Sequence, residues 1–302
     1  MNNTWYIIIN PTSGGGKTKK KINKILKIIS QYNLIIKTVN TQYPHHEEEL
    51  VEKAIKLGYY NFICVGGDGT IHHMINGIMK QKHIDTSEIK LAVIPTGTGN
   101  DWVKNYNIPK DPKKAVQIIS TSNSIYQDIG KITLPDNKKE FYFNNAAGIG
   151  FEAYVVKNID QYKKWGSLAY LMAALFSFKS YINGNYKVSL DDKIYESSIF
   201  LLSLGICKYS GAGMQLTNYK AHKSGYFDVN LIKSISLIKV IKNIFKLYNG
   251  EINKVKEVTC LHAKELKIHG NTSSYIQADG ELIGKGDFYI TLIPKAIQFI
   301  VK

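Results

Sequence analysis

A chain of 302 residues with 44% hydrophobic and 21% charged residues is long enough for two packed cores and too balanced for a disordered or repetitive polymer. The formal charge is +15, and all 39 basic residues are lysine. That charge suits an anionic partner such as a nucleotide or an acidic lipid surface, although solvated surface lysines account for it equally well. Without arginine the commonest device for reading DNA bases is missing, so no specific nucleic acid is expected. Cys64, Cys207 and Cys260 are odd in number and widely spaced, which excludes a disulfide framework and a zinc ribbon and fits a reducing compartment.

In chain order, residues 5–9 (Trp5-Tyr6-Ile7-Ile8-Ile9) form the first expected strand, and no leader is expected before it. Helical spacing of Ile22, Ile25, Leu26 and Ile29 predicts a helix over 18–31, followed by a strand at 34–39. Helices are expected at 46–57 and 70–80, around strands at 61–65 and 90–94. Asp111-Pro112 opens another helix that runs through Ile119, with Asp as cap and Pro in the first turn. This alternation implies βαβ units, hence a parallel sheet with helices on both faces.

From about residue 125 the texture becomes β-rich. Strands are expected at 125–133, 140–147, 186–191, 194–205, 226–233, 257–262, 265–269, 274–278 and 287–293, with helices only at 166–181 and 236–247. The apolar run 168–178 is too short to span a bilayer, which takes roughly 20 residues. The fold class is therefore an α/β nucleotide-binding domain plus a β-rich, sandwich-like second domain. The expected boundaries are 1–125 for the first and 126–295 for the second, with 296–302 able to return to either sheet.

Three glycine-rich turns follow strands of the first domain: Asn10-Pro11-Thr12-Ser13-Gly14, Gly66-Gly67-Asp68-Gly69-Thr70, and Pro95 through Asp101. Loops at the carboxyl ends of parallel strands share one crevice, and backbone N–H groups at helix N-termini attract phosphate. The first turn lacks P-loop spacing. Asp279-Gly280 before Glu281, taken alone, reads as a hairpin turn.

Together these turns, with Gly148-Ile149-Gly150-Phe151-Glu152-Ala153, Ser224 through Val229 and Ala278 through Glu281, resemble the diacylglycerol kinase catalytic-domain family, which includes bacterial soluble lipid kinases and the sphingosine kinases. The resemblance implies an ATP- and Mg²⁺-dependent lipid kinase, a phosphotransferase with an alcohol acceptor. The acceptor would be a membrane lipid, diacylglycerol first among them. It implies nucleotide contacts at Asn10, Pro11, Thr12, Ser13, Gly14, Thr41, Gly66, Gly67, Asp68, Gly69, Thr70, Ile71, His72, His73 and Thr98. It implies catalytic roles for Glu281, Asp279 and Asp68, the general base being Glu281 or Asp68. A cytoplasmic protein that docks peripherally on an anionic membrane follows, and a homodimer is compatible with it.

Departures from the family pattern are informative. His72-His73 replaces Asn-Glu, and Lys104 replaces an arginine. In the loop that carries a structural Mg²⁺ in bacterial members, Ser224 replaces the ligating Asp. Ala221 and Tyr226 then remain as backbone ligands, and that metal is expected to be weak or absent. Two rival functions are a soluble-substrate kinase of NAD kinase type and a nucleotide-binding membrane protein without catalysis.

Overall fold

The computed structural model describes residues 3–97, 99–217, 225–270 and 274–302. It divides into two compact units, Met1–Gln127 with Lys295–Lys302, and Asp128–Pro294. The first unit contains β1 (Trp5–Ile9), α1 (Lys17–Ile29), β2 (Ile36–Asn40), α2 (His46–Lys56), β3 (Asn61–Gly66), α3 (Asp68–Lys80), β4 (Lys90–Pro95), α4 (Asp101–Asn105), α5 (Pro112–Thr121) and the start of β5 (Ser124–Leu134). In the second lie β6 (Lys139–Phe143), β7 (Ala146–Gly150), α6 (Phe151–Asn158), α7 (Ala169–Ser177), β8 (Gly184–Leu190), β9 (Lys193–Ile199) and β10 (Leu201–Gly205). They are followed by β11 (Phe227–Ile232), α8 (Leu237–Asn249), β12 (Val258–Ala263), β13 (Glu265–His269), β14 (Tyr275–Ala278), β15 (Glu281–Lys285) and most of β16 (Phe288–Ile300).

In the first unit β1, β3 and β4 are apolar along almost their whole length because helices cover both faces of a parallel sheet. The strand order is β2-β1-β3-β4 and then the end of β16, all parallel. Gln298 pairs with Lys90 and Phe299 with Leu91, so the last apolar run of the chain completes this sheet. Chain order reverses between β1 and β3, and the crevice outside that switch point is where such sheets bind ligands.

The second unit holds two antiparallel sheets. One runs β12-β11-β10-β7-β14-β15; the other places β9, β8, β13 and the first part of β16 side by side. The expectations for 140–147 and 194–205 as single strands are corrected here. The first breaks between β6 and β7 at Asn144-Asn145, and the second breaks at Phe200, so that β9 and β10 belong to different sheets. Phe200 stacks on Phe151 with ring centroids 4.7 Å apart, and this packing fixes the corner. The helix expected at 166–181 is also shorter: Gly166 (φ 57°, ψ −123°) breaks the helical path, and α7 begins only at Ala169. Helix α6, hidden in a glycine-rich apolar stretch, was not expected, and neither was the short α4. No described helix is long and apolar enough to cross a membrane.

Candidate active site

The three turns of the first unit meet at the carboxyl ends of β1, β3 and β4. Thr96 N–H and Gly97 N–H both donate to the Gly66 carbonyl, at 2.8 and 3.2 Å. A Cβ on Gly97 would lie 2.5 Å from Gly67 Cα, and one on Gly67 would lie 3.5 Å from Ser13 Oγ. Gly14, at φ +63°, passes so close to Thr96 that a Cβ there would sit 2.5 Å from its carbonyl oxygen. Glycine is thus required at the points of contact, and the backbones form a cradle that any side chain would fill. Gly15 and Gly16 also have positive φ but face open space.

Asn10 ties the cradle together. Its Nδ2 donates to Thr70 Oγ1 (3.1 Å) and to Glu47 Oε1 (3.2 Å), while its Oδ1 accepts from Thr12 N–H and Thr12 Oγ1. Glu47, only 2% exposed, is a residue that sequence reasoning missed: among three consecutive glutamates nothing marks the one that turns inward. Thr41 stands beside this group, its N–H donating to the Ile9 carbonyl at the end of β1.

Asp68 opens α3 but caps a different helix. Its Oδ2 accepts from Asp101 N–H (2.8 Å) and its Oδ1 from Trp102 N–H (3.3 Å), at the start of α4. Lys104 Nζ pairs with Asp101 Oδ1 at 2.9 Å, so the lysine in the arginine position is engaged within its own helix. Ile71 and His72 are buried, and Asn76 Nδ2 donates to the His72 carbonyl. His73 points instead toward α2. Thr98 lies outside the described residues.

Thr96 Oγ1 is buried without a hydrogen-bond partner among the described residues. An orphaned hydroxyl inside a cradle of backbone N–H groups, at a helix N-terminus, fits a polyanion such as a nucleotide phosphate. Asp68 places a carboxylate at the first turn of α3, beside this cradle, and a hard oxygen donor of that kind fits a Mg²⁺ carried with such phosphates.

In the second unit, Asp279 (φ 50°) and Gly280 (φ 85°) are the two central residues of the β14–β15 turn, both in the left-handed region that a tight hairpin demands. The Asp279 carboxylate is committed to the backbone. Oδ1 accepts from Asn145 and Ala146 N–H, both at 3.0 Å, and Oδ2 from Asn144 N–H at 3.1 Å. It therefore braces the chain where β6 gives way to β7. Glu281, two residues on, starts β15 and is exposed. Of the residues expected at the structural metal, Ala221 and Ser224 lie outside the described residues, while Tyr226 has its ring under Lys264 Nζ at 4.9 Å.

The same unit contains an apolar cavity of about 110 Å³, lined by Phe178, Phe200, Leu201, Met214 and the Val240, Ile244 and Leu247 face of α8. Glu152 stands in its wall, 4% exposed. Its Oε1 accepts from Gln277 Nε2 at 2.8 Å. Burial pushes its carboxyl up to about 8, a rise only partly offset by Ser203, so Glu152 is neutral at pH 7.

A doubly wound α/β unit with glycine turns at its switch point, followed by an antiparallel two-sheet unit, is the class of fold these observations define. Residues 4–132 match the diacylglycerol kinase catalytic domain, and residues 145–301 match the YegS C-terminal NAD kinase beta sandwich-like domain. The chain belongs to the diacylglycerol kinase catalytic-domain family, which is a family of lipid kinases. It is 25% identical over 280 residues to a diacylglycerol kinase of Staphylococcus carnosus, covering 92% of this chain and 89% of that protein. To a diacylglycerol kinase of Staphylococcus epidermidis it is 26% identical, covering 92% and 86%. A crystal structure of a diacylglycerol kinase from Bacillus anthracis str. Sterne superposes with a TM-score of 0.75 at 20% identity, over 99% of this chain and 97% of that one. That likeness shows the fold.

Proposed function

We propose that this protein is an ATP- and Mg²⁺-dependent kinase that transfers the γ-phosphoryl group to a hydroxyl of a membrane lipid, with diacylglycerol the first candidate. The observation that carries this reading is the convergence of three glycine turns on the switch point of a parallel sheet, in a chain whose relatives are named diacylglycerol kinase. ATP phosphates would rest on the backbone amides of the Asn10–Gly14 and Gly67–Thr70 turns, with Thr41 nearby. Mg²⁺, when bound, neutralises charge on the transferring group, and Asp68 is the carboxylate suited to hold it. Glu281 is the residue assigned to take the proton of the acceptor hydroxyl, because its carboxylate is exposed. Asp279 is assigned a positioning role: three backbone N–H groups already occupy it, and it holds the turn that presents Glu281.

Helix α8 supports the lipid half of the proposal. Its apolar arc is double: Leu237, Val240, Ile244 and Leu247 line the cavity, whereas Ile238, Ile241, Phe245 and Tyr248 are exposed, Phe245 by 80%. Lys239, Lys242 and Lys246 occupy the opposite arc. A helix with one half of its apolar surface over a cavity and the other in solvent, flanked by lysines, suits the interface of an anionic bilayer. The protein would then work as a peripheral enzyme on the cytoplasmic face.

The test is incubation with labelled ATP, Mg²⁺ and vesicles containing diacylglycerol, a sphingoid base or phosphatidylglycerol, with NAD as a soluble acceptor. A labelled lipid that disappears with Asp68→Ala supports the proposal. ATP binding without any labelled lipid refutes it, and NADP formation would favour the soluble-substrate alternative.

A further inference from the structure

The His72-His73 pair does not act as a pair. His72 turns into the core, and His73 crosses to α2, where its Nδ1 lies 3.2 Å from His45 Nδ1 and 3.6 Å from Glu48 Oε1. The contact depends on close helix packing. Gly77, one turn after His73 on the same face of α3, lies so near α2 that a Cβ there would be 2.9 Å from Glu48 Cα. His45 sits at the N-cap of α2 with φ 65°, which folds its ring back toward His73. The far oxygen of Glu48 is held by Lys80 Nζ at 2.7 Å, leaving Oε1 aimed at the two rings.

We infer that His45, Glu48 and His73 form a site for a divalent transition cation of the zinc class. All three donor atoms lie within 4.8 Å of one another. Ligands on a tetrahedral Zn²⁺, each at about 2.0–2.1 Å, stand about 3.3 Å apart, which is the spacing the two Nδ1 atoms adopt. A proton shared between the two rings satisfies one pair of these atoms, whereas a single cation satisfies all three. Two imidazoles and one carboxylate select zinc-like metals over Mg²⁺ and Ca²⁺, which prefer all-oxygen shells. Lys80 on Glu48 Oε2 supplies the outer contact that fixes a ligand's orientation. The fourth position would be open to water. Glu47, the neighbour of Glu48, holds Asn10, so an ion here would staple α2 to α3 directly beside the phosphate cradle. This role is separate from the Mg²⁺ that accompanies ATP, and it stands whether or not the chain phosphorylates lipid.

The experiment is calorimetric titration of Zn²⁺ into the chelator-treated, full-length protein with Mg²⁺ present throughout, paired with thermal unfolding. One saturable equivalent and a raised unfolding midpoint are expected. His45→Asn, chosen because asparagine tolerates the left-handed conformation, and Glu48→Gln should each weaken Zn²⁺ at least about tenfold. Both variants are checked for native circular dichroism, and His45 is exposed, so its replacement spares the core. Cys260→Ser should bind as the parent does. Absence of a Zn²⁺ isotherm in the parent, undiminished binding in both variants, or loss of binding in Cys260→Ser would overturn the inference.

Discussion

Replacing Glu152 by glutamine should make the protein more stable at neutral pH, although it removes a native side chain from a buried site. The carboxyl is held protonated by burial, with its pKa near 8 against 4.5 for the free group. Between those values the native state keeps a proton that the unfolded chain has released, so wild-type stability falls as pH rises, by about 1.36 kcal/mol per unit. The contribution is fully present below about pH 4.5 and is lost as pH climbs toward 8. At pH 7 the accumulated cost is about 3 kcal/mol, and at pH 5 it is under about 1 kcal/mol. Glutamine is neutral throughout and can still accept the hydrogen bond from Gln277 Nε2. Urea unfolding of parent and Glu152→Gln, followed by circular dichroism from pH 5 to 8, should therefore show a stability gap that widens with pH. A gap that is constant with pH, or a variant less stable at every pH, would refute the account of Glu152 as a neutral carboxyl in the wall of an apolar cavity. Under the proposed lipid-kinase function, an ionised group there would oppose the entry of an acyl chain into this cavity.

The remaining substitutions separate architecture from chemistry. Asp279→Ala removes the side-chain acceptor of three backbone N–H groups and should cost at least about 3 kcal/mol in chemical denaturation, with activity falling through misplacement of the turn. Glu281→Ala should leave stability within about 0.5 kcal/mol, since the side chain is exposed, while phosphoryl transfer falls by about 100-fold or more; equal losses in both properties would contradict the division of roles. Gly97→Ala forces a Cβ to within 2.5 Å of Gly67 Cα and should destabilise by about 1–3 kcal/mol while weakening ATP in calorimetry. On α8, Ile241→Asp with Phe245→Asp should lower co-sedimentation with phosphatidylglycerol vesicles by about tenfold or more without loss of ATP binding, because each side chain withdraws about 1.5–3 kcal/mol of apolar burial.

Much of the first unit was legible because its signals are local. A parallel strand covered on both faces is a continuous apolar run, so Trp5–Ile9, Asn61–Gly66 and Lys90–Pro95 stand out, and the turns after them carry their own glycines. The second unit was less legible. At Phe200 the apolar pattern continues without interruption, and at Asn144-Asn145 it lapses for only two residues, while the chain changes partners, because the break is imposed by Asp279 from 134 residues away and by the packing of Phe200 on Phe151. Glu47 and Glu152 were missed for a related reason. A glutamate in the first turn of a helix reads as solvated, and only the rotation of the helix against its neighbour decides which one is buried.

The sequence by itself determined most of the strand–helix alternation of the first unit, the three glycine turns, and the family to which they belong, since each is written in contiguous residues. Only the tertiary structure decided what the individual carboxylates and imidazoles do. Asp68 caps α4 rather than α3, Asp279 braces a strand junction, Glu152 stays neutral beside an apolar cavity, and His73 finds His45 instead of His72. The physical reason is common to all four: the role of a titratable group follows from its desolvation and its nearest partners, and these come from segments distant in sequence.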